Sequence, residues 1–269
     1  MKSIIALILI IASTEAFLFG GDAWNDLKVT WGINPFGSNN FVSLPRTEQE
    51  AISKGWVREK NCSEVNGNRY ILKGDNSVLL VFARSGLIAG IASQLPKNLP
   101  FNFPSAAQQK YFDDEGDHFT ITAYFMDPAN VCKPVSGKQS TGDRVVIKSK
   151  KTELNIPLTT SEVSSFWTLG QCFYTMGVHY WADVTGQLGQ STQADNFLPM
   201  FLLYNKGNLN GFGWAFNANL PSPRFEHPTT SVLDKFFKEI PQFFFDPSKA
   251  GTLSTLHIYL DSTPQLNFC

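Results

Sequence analysis

Leu44-Pro45-Arg46-Thr47-Glu48-Gln49-Glu50-Ala51 and Ile156-Pro157-Leu158-Thr159-Thr160-Ser161-Glu162-Val163 read as two versions of one phrase. In each case a tryptophan and then a cysteine follow, Trp56 and Cys62 in the first and Trp167 and Cys172 in the second. Farther on, Val81-Phe82 answers Leu203-Tyr204, Leu95-Pro96 answers Leu220-Pro221, and Lys110-Tyr111-Phe112 answers Lys235-Phe236-Phe237. Both stretches close on an Asn-apolar-Cys step, Asn130-Val131-Cys132 and Asn267-Phe268-Cys269. Self-similarity of this kind reports architecture, because it marks positions that one structural unit needs twice. It says nothing about chemistry.

The pair Thr47 and Glu50 has capping-box spacing, as does the pair Thr159 and Glu162. A short helix is therefore expected after each threonine, the first running to Lys54 and stopping at Gly55. A meander comes next: strands at 69–73 and 77–83 flank Gly74-Asp75-Asn76, and a third runs over 87–93. In the second unit, strands at 200–204 and 209–216 flank Asn205-Lys206-Gly207-Asn208, residues that tolerate positive φ. Ser231 and Asp234 again have capping-box spacing, and Val232, Leu233, Phe236, Phe237 and Ile240 share one helical face that Pro241 ends. Residues 105–112 are its weaker counterpart, and a strand closes each unit at 119–126 and 256–260.

The expected fold class is α+β: two tandem copies of a helix, antiparallel-meander, helix, strand unit. Two such mainly antiparallel sheets are expected to pack together about a pseudo-two-fold axis, with the tryptophans in the core between helix and sheet. The boundaries read as 1–16 signal peptide, 17–41 N-terminal strand segment, 42–132 first unit, 133–154 connection with one strand, and 155–269 second unit.

Lys2, the apolar run from Ile4 to Ala12 and the small-residue step Thr14-Glu15-Ala16 form the pattern of a secretory signal. That run is about half the ~20 residues needed to span a bilayer, and no later run approaches that length, so no membrane span is expected. A formal charge of −1 gives no steering toward nucleic acid. Charged residues at 17%, with 23 Phe and six Trp, indicate a folded aromatic core. In an oxidising compartment, four cysteines imply two disulfides with three possible pairings. One bridge per repeated unit gives Cys62–Cys132 and Cys172–Cys269. The spacings lack a Cys-x2-Cys pair, so a zinc site is disfavoured and no metal or other cofactor is assigned. Asn61-Cys62-Ser63 is a glycosylation sequon.

The second unit carries an aromatic run, Phe173-Tyr174-Thr175-Met176-Gly177-Val178-His179-Tyr180-Trp181, whose nearest counterpart in the first unit is around Arg69-Tyr70. Positions where the copies differ are free of the demand that both fold alike, so a grafted site is sought among them. His179, Tyr180, Trp181, Trp214, Glu226 and His227, with Phe212 and Phe225, are the candidate lining of an aromatic pocket for carbohydrate or another amphipathic ligand. The competing reading has these rings simply filling the core. His118 is expected in a solvated turn and His257 within a strand of unknown register. There is no Gly-x-Ser-x-Gly elbow, His-Glu-x-x-His motif or Walker loop, and no catalytic residue is assigned.

Gly177-Val178-His179-Tyr180-Trp181, Phe201-Leu202-Leu203-Tyr204-Asn205, Leu209-Asn210-Gly211-Phe212-Gly213-Trp214-Ala215 and Glu226-His227-Pro228, together with the Asp22-Ala23-Trp24 start, resemble a family of secreted invertebrate animal proteins. The likeness covers most of the chain beyond the signal. It implies secretion, and it brings no assigned activity or site residues. Three functions stand open: a non-enzymatic binder of a small ligand or extracellular protein partner, a hydrolase or metal-dependent enzyme using His179, His227 and Glu226, and a structural component of matrix or mucus.

Overall fold

A computed structural model describes residues 24–34, 36–134 and 141–269. The expected signal peptide lies outside the described residues, as does much of the Gly/Ser-rich part of the connection.

The chain builds two antiparallel sheets that pack face to face, so the expected α+β class is incorrect. One sheet runs β11-β12-β13-β14-β15-β1-β2 and the other β10-β9-β8-β6-β5-β4-β3, with β7 (Asp113–Glu115) pairing to β8 off that path. The first comprises β1 (Lys28–Val29), β2 (Val42–Ser43), β11 (Trp167–Phe173), β12 (Gly177–Ala182), β13 (Met200–Asn205), β14 (Asn208–Phe216) and β15 (Ser254–Tyr259). The second comprises β3 (Trp56–Lys60), β4 (Asn68–Leu72), β5 (Leu79–Phe82), β6 (Ile88–Pro96), β8 (His118–Tyr124), β9 (Val146–Lys148) and β10 (Glu153–Asn155).

The two sheets share one strand order. A five-strand meander (β3-β4-β5-β6-β8 or β11-β12-β13-β14-β15) is extended by a two-strand pair (β9-β10 or β1-β2). The pair that precedes each meander in the chain joins the other meander's sheet, so the halves are interlocked by exchange. Registers correspond as well. Arg69 opposes Val81 and Gly90 opposes Tyr124 in one sheet, as His179 opposes Leu203 and Gly211 opposes Tyr259 in the other.

Strand alternation sets the core. Met200, Leu202, Tyr204, Phe212, Trp214, Phe216, Leu256 and Ile258 point inward and meet Leu80, Phe82, Ile91, Ile121 and Ala123 of the opposite sheet. Trp56 and Trp167 belong to this layer, between sheets and not between helix and sheet as expected.

Helix is confined, among the described residues, to α1 (Glu48–Ser53) and short 3-10 segments. For α1 the sequence reading was sound: Thr47 Oγ1 accepts the Glu50 amide at 3.2 Å, Glu50 accepts the Arg46 amide at 3.1 Å, and Gly55 at φ +82° ends the turn. After Thr159, Glu162 reaches back to the Leu158 amide at 2.9 Å, but only one 3-10 turn forms (Thr160–Glu162). The second expected helix is likewise replaced by 3-10 segments at Thr230–Lys235 and Gln242–Phe245. The Phe236 carbonyl is committed to the Gln171 amide and the Trp181 indole, both at 3.0 Å, and Pro241 has no N–H to continue a ladder. The counterpart at 105–112 contains a 3-10 turn at Gln109–Tyr111.

The chain forms two disulfides, Cys62–Cys132 and Cys172–Cys269, the pairs expected from one bridge per unit. No helix among the described residues is long and apolar enough to cross a membrane.

Candidate functional site

Each sheet has a second, outer face, and on the β11–β15 sheet that face is aromatic. By alternation His179 and Trp181 of β12, Phe201 and Leu203 of β13, and His257 and Tyr259 of β15 all point outward. Residues 227–237 fold across this face. Phe237 stacks on Trp181 with ring centroids 4.1 Å apart, and the Phe236 carbonyl joins both Trp181 and Gln171. Gly170 makes the approach possible, because a Cβ there would strike the Phe236 carbonyl and sit 2.9 Å from the Trp181 indole nitrogen. Within the sheet, Gly213 leaves room for the Phe201 ring, which a Cβ there would overlap.

Between sheet and cover lies a cavity of about 380 Å³, within the roughly 300–1,000 Å³ range of small-molecule pockets. Its walls are Phe173, Met176, Phe201, Leu233, Phe236 and Phe237, with Trp31 and the exposed Ile33 from the N-terminal segment at one side. The polar groups are few. Glu226 is set by a β-bridge to Thr255, and its carboxylate accepts the Trp31 amide at 2.7 Å and the Thr255 hydroxyl at 3.1 Å. His257, two residues along β15 on the same face, brings Nδ1 to 3.3 Å from Glu226 Oε2. That contact is close enough for ion pairing but is not aligned as a hydrogen bond, so both ring nitrogens of this buried imidazole lack a hydrogen-bond partner.

His179 is fully buried, with Nδ1 3.2 Å from the Gln171 carbonyl. A carbonyl only accepts, so Nδ1 carries the hydrogen and Nε2 is left as an acceptor. Burial, reinforced by His257, pushes this imidazole down to about 3, so it is neutral at physiological pH. His227, exposed at the mouth, similarly gives Nδ1 to the Leu253 carbonyl at 3.2 Å.

Of the residues nominated from sequence, His179, Trp181, Glu226 and His227 line this one cavity. Tyr180 and Trp214 do not, since both point to the inner face, where Tyr180 packs edge-on against Tyr204 and Trp214 is buried between the sheets. Phe212 and Phe225 are also inner-face residues. His257 and Trp31 are the omissions. Parity was the available signal against Tyr180, since His179 and Trp181 are separated by two and one face of a strand holds both and excludes it, whereas the face of His257 depended on register. Nothing local pointed to Trp31, which lies far away in the chain.

The corresponding face of the other sheet is built differently. Arg69 stands at the register of His179, and Thr122 at that of His257. The cleft there, about 730 Å³, is lined by charged groups, several of them already paired: Lys60 with Glu115 at 2.7 Å, Arg69 with Glu115, and Lys148 with Glu153 at 2.9 Å. Burial pushes the Glu115 carboxyl up, but Arg69 and Lys60 outweigh it and hold the group at about 2. The apolar cavity is therefore the better candidate site. Although three imidazoles and Glu226 line it, no group of three or more His, Cys, Asp or Glu among the described residues is placed to hold a metal ion.

The Asn61 sequon lies beside the Cys62–Cys132 bridge, with Asn61 Oδ1 accepting from the Ser63 amide and hydroxyl at 2.8 and 2.6 Å. Searches of family models, of curated proteins and of solved structures return no match to this chain.

Proposed function

We propose that this is a secreted, non-enzymatic binding protein whose aromatic cavity holds a small amphipathic ligand. The observation that carries the reading is the composition of that cavity: six aromatic rings of Phe and Trp, with Met176 and Leu233, surround one short polar cluster at Glu226 and His257. Such a lining favours a ligand with an apolar body and one polar end. A carbohydrate, which needs donors and acceptors around its whole rim, fits it less well, so the amphipathic alternative is preferred. Secretion is supported by the sequence pattern of residues 1–16, by the two disulfides and by the likeness to secreted invertebrate proteins. An internal duplication is supported by the common strand order and register of the two sheets. A glycan at Asn61 belongs to the same reading.

The test is titration of the purified chain with a fluorescent apolar amine such as N-phenyl-1-naphthylamine, alongside Leu233→Trp. Leu233 lines the cavity and is buried, so the larger side chain fills it. Saturable micromolar binding, weakened at least tenfold by the substitution in a folded variant, is expected. Binding that the filled cavity leaves unchanged, or no binding by this probe and a panel of apolar amphipaths, contradicts the reading.

A further inference from the structure

Five rings of the cavity wall form a closed circuit. Ring centroids run Trp31 to Phe173 at 5.6 Å, Phe173 to Phe236 at 5.3 Å, Phe236 to His179 at 5.3 Å, His179 to His257 at 6.4 Å, and His257 back to Trp31 at 6.5 Å. Trp31, Phe173 and Phe236 of this circuit are rings of the kind that attract a cation within ~6 Å of the centroid. The Glu226 carboxylate adjoins this circuit through His257 and through the Trp31 amide.

The hydrogen-bonding character of the polar groups points the same way. The Nδ1 hydrogens of His179 and His227 are committed to backbone carbonyls, and the neutral ring of His179 is left an Nε2 acceptor. The Thr255 hydroxyl is already directed at Glu226. Glu226 itself only accepts. His257 is more than nine-tenths buried and has no hydrogen-bond partner. The remaining charged group of the lining, Lys235, is exposed, where solvent screens it.

Resting on the binding-protein reading, we infer that the polar end of the ligand is a protonated amine, an alkyl- or arylalkylammonium. The ring circuit surrounds its charge, and Glu226 with the His179 acceptor takes its N–H donors. A carboxylate or phosphate head is disfavoured, because it would stand against the Glu226 carboxylate.

The inference is tested with 2-phenylethylammonium, its near-isostere 2-phenylethanol and phenylacetate, titrated at one pH against the intact protein and Glu226→Gln. The ammonium should bind at least tenfold more tightly than the alcohol, and phenylacetate most weakly. Glu226→Gln should bring ammonium and alcohol within about threefold. Equal or tighter binding of the alcohol or phenylacetate by the unaltered protein overturns the ammonium assignment. That comparison does not depend on the variant folding. An unchanged ammonium preference in a folded Glu226→Gln variant overturns the role of the carboxylate. In either case the binding-protein reading survives if the larger apolar probe still binds the cavity. Binding of none of these three compounds, with the larger probe bound, sinks the ammonium assignment alone. Failure of the larger probe as well sinks both.

Discussion

At the residue scale, the most consequential property of His179 is that it stays uncharged. Its ordinary value is 6.5, and burial with His257 nearby pushes it to about 3. Between these values the unfolded chain takes up a proton that the folded chain refuses. The stabilisation is thus complete above about pH 6.5 and is lost as pH falls toward 3, with a slope approaching ~1.4 kcal/mol per pH unit. Glu115 has the same sign but a lower window, since its stabilisation is present above 4.5 and lost as pH falls toward 2. Denaturant titrations between pH 5 and 6.5 should therefore show stability rising with pH, and His179→Gln should flatten that rise by about one proton's worth, whatever its cost at neutral pH. An unchanged slope would mean that His179 is protonated in the fold. Gly213 makes a second residue-scale statement. A methyl there meets the Phe201 ring and lies 2.6 Å from the Leu256 carbonyl, so Gly213→Ala should destabilise the protein by about 1–3 kcal/mol and weaken probe binding, both measurable in one denaturant and titration series.

At the element scale, the cover segment and the bridges decide which parts of the fold are held. Residues 227–237 are attached by the Phe236 carbonyl and the Trp181–Phe237 stack, not by helical packing, so the pocket roof depends on the sheet beneath it. The Cys172–Cys269 bridge spans 97 residues and ties β11 to the chain end, while Cys62–Cys132 spans 70 and ties the end of β3 to the turn after β8. In the chain-entropy model each loop of that length constrains the unfolded chain by about 4–5 kcal/mol. Replacing both cysteines of either pair with serine should lower unfolding free energy by about 2–5 kcal/mol in denaturant melts. A loss below about 0.5 kcal/mol for both pairs would show that the unfolded chain is compact without them.

At the scale of the whole molecule, what could be read from sequence was whatever is local or repeated. The capping residues of α1, the hairpin turn at Lys206-Gly207 and the cysteine pairing each rest on short-range chemistry or on the match between halves. Class was misread because the apolar face of Val232, Leu233, Phe236, Phe237 and Ile240 has helical spacing, yet a tertiary hydrogen bond to Phe236 and the imino nitrogen of Pro241 oppose the helix. Tyr180 and Trp214 were misplaced because facing depends on register, which one residue's shift inverts. Trp31 and the exchange of β1-β2 onto the distant meander were hidden because long-range pairing leaves no local mark.

The outer faces of the two sheets share a topology and differ in chemistry, Arg69 standing where the other has His179. The aromatic face, not the charged one, is proposed as the ligand site. The most direct test is a crystal structure of the intact protein grown with saturating 2-phenylethylammonium. Ligand density is expected inside the circuit of Trp31, Phe173, Phe236, His179 and His257, with the nitrogen toward Glu226. Ligand density in the charged cleft at Lys60 and Glu115, with the aromatic cavity unfilled, would contradict it.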